Sequence, residues 1–148
     1  MLTPEMLSLR QSLRRLSPER VQTIIRSLPA EAVKVLRYDW TLFARDNQLP
    51  PPGNWRTWVP LAGRGWGKTK TGAEWIRMQV EGPTPLSAGR AKHVALIAET
   101  SSDARDVMVK GPSGILACSP PAYRPTYVAN RRALVWPNGV EALIVSAI

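Results

Sequence analysis

The chain has 148 residues, enough for one domain with a real core, with 44% hydrophobic and 21% charged residues. Twenty Lys and Arg against 11 Asp and Glu give a net charge of +9, a surface that makes nucleic acid the first partner to consider. One cysteine, Cys118, and one histidine, His93, exclude an internal disulfide and a multi-cysteine zinc site, and no apolar run approaches the ~20 residues of a membrane helix. The lone cysteine reads as a small buried apolar residue.

The first third reads as helical. Thr3, Pro4 and Glu5 supply a cap, a proline at the first helical position and an acid in the first turn, ahead of Leu7, Leu9, Leu13 and Leu16. Ser17–Pro18–Glu19 repeats that signal, and Val21, Ile24, Ile25 and Leu28 follow at helical spacing. A third helix is expected from near Pro29, carrying Val33, Leu36, Trp40, Leu42 and Phe43. This extension, residues 1–46, reads first as a plain amphipathic bundle, with a DNA-binding helix pair as the alternative.

"QLPPPGNW" then breaks the pattern, because three prolines and a glycine cannot continue a helix. Residues 47–148 are expected to form a second unit. Trp58 to Ala62 reads as a short apolar strand, although Pro60 removes a ladder hydrogen bond. Gly67 to Val80 reads as a helix, "HVALIAE" (93–99) as a buried strand, and Ser101 to Lys110 as a helix capped by Ser101. Strand, helix, strand, helix is the order of a parallel sheet with crossover helices, hence an α/β fold. Two apolar runs around Asn138–Gly139 predict a hairpin, its turn lengthened by Pro137.

Ala62, Gly63, Arg64, Gly65, Trp66, Gly67, Lys68 and Thr69 match [AG]-x-x-x-x-G-K-[ST], placed between an apolar run and a helix. Glycines let successive N–H groups turn inward on an anion, and the helix adds its positive N-terminal end. Lys68 is expected on the β- and γ-phosphates of ATP and the Thr69 hydroxyl on Mg²⁺. Arg64 is placed to meet charge developing on the γ-phosphate; the plainer reading is a solvated arginine at the loop rim.

With Arg64 in that loop, the chain resembles the large terminase subunits of tailed phages, particularly those of prophages and gene transfer agents. The resemblance rests on "WTLFARDNQLPPPGNWRTW", "GRGWGKTKTGAEWIR", "VALIAET", "DVMVKGPSGIL", "RPTYVANRRALVWPNG" and "VSA", in that order. It implies a P-loop NTPase domain that drives double-stranded DNA into a procapsid, followed by a metal-dependent nuclease. The partners it implies are double-stranded DNA, a small terminase subunit and a portal, with a ring of copies in the full-length motor. The location it implies is the cytoplasm of a bacterial host. By the same resemblance Lys68 and Thr69 contact phosphate and Mg²⁺, Arg64 is the loop arginine, and Gln48 reads adenine beside Trp40 or Phe43. Trp55 and Trp58 offer stacking surfaces but read first as mixed core and surface.

ATP hydrolysis also needs an acid at the end of an apolar strand. Glu99 is the candidate within these residues, although the resemblance places the catalytic acid further along and makes Glu99 a strand-end neighbour. Asp103 and Asp106, with Arg105 between, read as a solvated face. The chain is therefore expected to be the front part of an ATPase domain, without the nuclease and inactive in hydrolysis alone. The alternatives are another nucleic-acid-dependent ATPase, such as a helicase, and a non-catalytic basic module with a degenerate loop.

Overall fold

The computed structural model describes residues 10–148. It divides into two compact units between Leu49 and Pro50.

In the first unit, residues 10–14 are helical, followed by α1 (Pro18–Ser27), α2 (Ala30–Arg37), the single turn α3 (Trp40–Phe43) and a 3₁₀ turn at Asp46–Gln48. Ser17 caps α1, its side chain accepting from the Arg20 N–H, with Pro18 in the first turn. The expected third helix is two pieces. Asp39 interrupts it, its Oδ1 accepting from the Thr41 N–H at 3.0 Å and from the Thr41 hydroxyl at 2.6 Å. A short acid that bonds the backbone locally favours a cap over a helix interior.

None of the three helices holds a fully buried residue. Ile24 and Ile25 stay 39% exposed, so the apolar stripe of α1 is not sealed as a bundle would seal it. Polar contacts tie the unit instead. Arg10 donates to the Ala44 carbonyl and pairs with Asp46 at 3.0 Å, and Arg14 meets the same carboxylate. The cap expected at Thr3–Pro4–Glu5 lies outside the described residues.

The second unit carries a four-stranded sheet. Its strands are β1 (His93–Ala98), β2 (Thr126–Val128), β3 (Ala133–Val135) and β4 (Glu141–Ser146), in the order β1-β4-β3-β2. Only β1 and β4 run parallel, with Leu96 opposite Ile144; β3 is antiparallel to both β4 and β2. The expected parallel sheet with crossover helices is thus corrected to a mixed sheet, parallel only at β1–β4. The links β2–β3 and β3–β4 are a few residues long, and only antiparallel neighbours can be joined so briefly. The Asn138–Gly139 turn forms as read: Gly139 takes φ 82°, and the Trp136 N–H meets the Val140 carbonyl at 2.9 Å. The β2–β3 hairpin was not foreseen; Arg132 closes it in the left-handed conformation at φ 48°.

Three helical segments cover one face of the sheet: α4 (Lys68–Val80), α5 (Ser101–Asp103), which widens into π-helix over Ala104–Val109, and α6 (Ile115–Cys118). Ala73, Ile76 and Val80 of α4 meet Leu96, Leu134, Ala142, Ile144, Ala104, Val109, Ile115 and Cys118 in one core. Burying Leu96 to 1% stabilises by roughly 2 kcal/mol. Thr100, not Ser101, caps α5, its hydroxyl accepting from the Asp103 N–H. A threonine in extended backbone just before the helix is the better-placed oxygen.

Two expected strands need correcting. Residues 58–62 form no strand: Val59 is 63% and Leu61 90% exposed, and Pro60 has no N–H for a ladder. β1 is an edge strand whose burial alternates, with Leu96 inward and Ile97 60% exposed, rather than a buried one. The apolar run satisfied a buried-strand pattern, but this sheet is covered by helices on one side. Among the described residues no helix is long and apolar enough to cross a membrane.

Candidate functional site

The glycine-rich segment opens into α4 as its sequence required. Gly65 and Gly67 take φ 82° and 93°, angles a side chain would strain, and Gly67 is the N-cap of α4. That cap has no side-chain hydrogen bond to offer the first-turn amides. Lys68 turns back over the loop, its Nζ donating at 2.9 Å to the carbonyls of both Ala62 and Gly63.

A cleft of about 490 Å³ lies against this turn, lined by Arg64, Gly65, Gly67, Lys68, Thr69 and Lys70 on one side. Asp106, Val107, Gly111, Pro112 and Ser113 line the other. Its size is that of a small-molecule site. Of the three cations on the cleft, Lys70 is paired with Glu74. The one carboxylate is paired too: Arg105 bonds Asp106 at 2.7 and 2.8 Å and holds its carboxyl below the usual range, which leaves the charges of Arg64 and Lys68. The balance favours an anion. The sequence reading placed Asp106 on a solvated face. It is indeed exposed and paired, and together with Val107 of the π-helical turn it also lines the cleft. The signal within reach was the short glycine-rich stretch "KGPSG" that follows.

Behind Lys70 runs a buried ionic chain the sequence reading did not single out. Glu74, 3% exposed, accepts from Lys70 Nζ and from Arg77 Nη1, each at 2.6 Å, and Arg77 Nε reaches Glu81 at 2.9 Å. Burial disfavours the Lys70 ammonium, but Glu74 and, after it, Cys118 together outweigh it and the net shift is upward. Burial likewise pushes the Glu81 carboxyl up, against the pull of Arg77. Cys118 is buried as expected, and Lys70 Nζ lies 3.3 Å from its sulfur. Burial pushes that thiol up. Only the i, i+3 and i, i+4 spacing of Lys70, Glu74, Arg77 and Glu81 hinted at the chain.

Of the other expected residues, Ala62 and Gly63 give their carbonyls to Lys68, and Arg64 is exposed at the cleft mouth. Trp66 is half-buried beside the cap. Gln48 belongs to the first unit, where it is buried and its Oε1 accepts from the Arg45 N–H at 3.0 Å. Glu99 is exposed just past β1, its carbonyl accepting from the Ser146 hydroxyl. Trp55 and Trp58 form a tilted pair with ring centres 6.2 Å apart. Among the described residues no group of three His, Cys, Asp or Glu is placed to hold a metal.

The molecule is thus an α/β protein whose glycine-rich loop feeds the N-terminus of a buried helix beside a cationic cleft. The family model for the T4-like-virus type of terminase large subunit, N-terminal part, matches residues 59–147, more than half of the chain, and the chain belongs to that family. This places it among the phage DNA-packaging terminases. No curated protein and no solved structure matches it.

Proposed function

We propose that this chain carries the ATP-binding part of a packaging motor, a P-loop NTPase unit whose hydrolysis of ATP drives double-stranded DNA into a procapsid. One observation carries the reading. The Ala62–Thr69 segment folds as a tight loop onto the uncapped N-terminus of α4, with Lys68 and Thr69 both lining the cationic cleft. A polyphosphate chain there would meet first-turn amides, the positive end of the helix and the Lys68 ammonium.

Thr69 offers a hard neutral oxygen in the same cleft, the donor type that Mg²⁺ accepts alongside substrate phosphates. When bound, that ion would neutralise charge on the phosphates. Lys68, with three donors on a flexible stem, exchanges loop carbonyls for phosphate oxygens. Arg64, free of the helix and exposed at the mouth, is the group we assign to charge developing at the γ-phosphate. The net charge of +9 suits the DNA cargo. The packaging complex supplies the other partners that family membership implies.

The test is equilibrium binding of ATP with Mg²⁺ to the wild-type chain and to Lys68→Ala. Loss of the charge-assisted bonds should weaken ATP by about 10- to 100-fold. An unchanged affinity in Lys68→Ala would sink the assignment of this loop to phosphate.

A further inference from the structure

Asn138 is the only one of the four asparagines followed by glycine; the others precede Gln48, Trp55 and Arg131. The pair makes the β3–β4 turn, and it is also a chemically reactive junction. Glycine has no Cβ to shield its amide nitrogen, so that nitrogen can come close to the asparagine side chain.

The fold builds a tight corner around this turn. Val80 ends α4, so its carbonyl lies beyond the reach of the intrahelical ladder. The Asn138 Nδ2 donates to that carbonyl at 2.8 Å and to the Ser87 carbonyl at 3.0 Å. The loop between them packs backbone on backbone. A Cβ at Gly89 would stand 2.5 Å from the Val80 carbonyl, and one at Gly82 would stand 2.5 Å from the Ser87 oxygen. The Asn138 Oδ1 accepts from the Val140 N–H at 3.2 Å, which fixes the other end of the amide as the donor. The Gly139 N–H is itself engaged, donating to the Trp136 carbonyl at 2.9 Å.

We propose that Asn138 is a site of spontaneous deamidation, gated by opening of the corner between the turn, the end of α4 and the loop after it. In the open state the Gly139 nitrogen loses its proton and attacks the Asn138 side-chain carbonyl carbon. A C–N bond forms and closes a cyclic imide, the bond to Nδ2 breaks, and Nδ2 takes up a proton and leaves as ammonia. Water then opens the imide at either carbonyl, giving aspartate or its β-linked isomer. Water is the only co-reactant, and nothing is oxidised. In the closed corner both reacting groups are held, the amide by its three hydrogen bonds and the nitrogen by Trp136. The product cannot restore the corner. A carboxylate has no donor for the Val80 and Ser87 carbonyls, and its charge would sit at the negative end of the α4 dipole. Reaction therefore leaves a chain in which the end of α4 and the 81–89 loop are no longer tied to the turn. Nothing in this chemistry requires the cleft to hold a nucleotide.

The experiment ages the full chain at mildly alkaline pH, once in buffer and once in urea above its unfolding midpoint. Mass spectrometry follows the peptide carrying residue 138, with the peptides of Asn47, Asn54 and Asn130 as internal controls. In the unfolded chain Asn138 should convert well ahead of the other three. In the folded chain it should convert slower by about tenfold or more, because only the open fraction reacts. The Asn138→Asp variant, and the aged wild type separated from the fresh chain by charge, should both melt below the fresh wild type. Equal rates in the folded and unfolded chains overturn the gate, and no lead for Asn138 in the unfolded chain overturns the site. Melting of both modified forms at the wild-type temperature overturns the loss of the corner.

Discussion

Lys70 and Cys118 share one buried corner beside Glu74, and both hold their protons more tightly in the folded chain than outside it. For Lys70 the gain comes from Glu74 and, after it, Cys118, against the cost of burial; for Cys118 it comes from burial itself. The folded state therefore binds more protons than the unfolded state at alkaline pH, and stability must fall as pH rises. For Cys118 the loss begins as pH passes the ordinary thiol range near 8.5 and continues to its raised folded value. For Lys70 the stability is fully present below about 10.4 and is lost as pH climbs through the raised folded value. Thermal melting from pH 7 to 11 should show a flat region and then a decline beginning near pH 8.5–9. Cys118→Ala should remove the earlier part of that decline, and an identical profile would contradict it. Burial of Cys118 was legible from its residue type. Its pairing with Lys70 was not, because 48 residues separate the two.

Helix α4 and the β3–β4 turn were both readable, and each does more than its local pattern stated. The start of α4 was fixed by Gly67 and Lys68; that Ala73, Ile76 and Val80 are the face it buries is seen in the core. Where it stops depends on a distant residue. Asn138, read only as a turn former, donates Nδ2 to the Val80 carbonyl at 2.8 Å and to the Ser87 carbonyl at 3.0 Å. Its Oδ1 accepts from the Val140 N–H at 3.2 Å. The turn thus holds the end of α4 and the loop after it. Asn138→Ala should destabilise the chain by about 1–3 kcal/mol, the loss of two bonds to half-buried carbonyls. Denaturant unfolding would measure this, and a loss below about 0.5 kcal/mol would show that water replaces the amide. The run at residues 58–62 went the other way. Its apolar composition read as a strand, but a strand needs a neighbour, and Pro60 withholds the donor that would recruit one.

Among the described residues the main hydrophobic cluster runs from Ala73 to Ile144. The first unit contributes Ala44 as its buried apolar residue among those described, and polar contacts through Arg10, Arg14 and Asp46 organise the rest. Residues 50–148 expressed alone should therefore fold cooperatively and melt within about 5 °C of the full chain, the shift of a change near 1 kcal/mol. A fragment without a cooperative transition would show that the core depends on the preceding residues.

The sequence determined what short-range chemistry decides. Glycines at 65 and 67 set a loop that only such residues can turn, a run at 3.6 spacing set α4, and Asn138–Gly139 set a hairpin, each through constraints spanning a few residues. It also determined family membership, through the order of these pieces. Tertiary structure alone decided which strands pair and in which direction, that β1 lies at an edge with Ile97 open, and that Asp106 walls the cleft. It also decided that Glu74 gathers two cations in the interior. The β1–β4 pairing and the cleft wall depend on surfaces meeting from segments far apart in sequence, which neither spacing nor residue type records. Around Glu74 the spacing was local, and only the burial was decided by the fold.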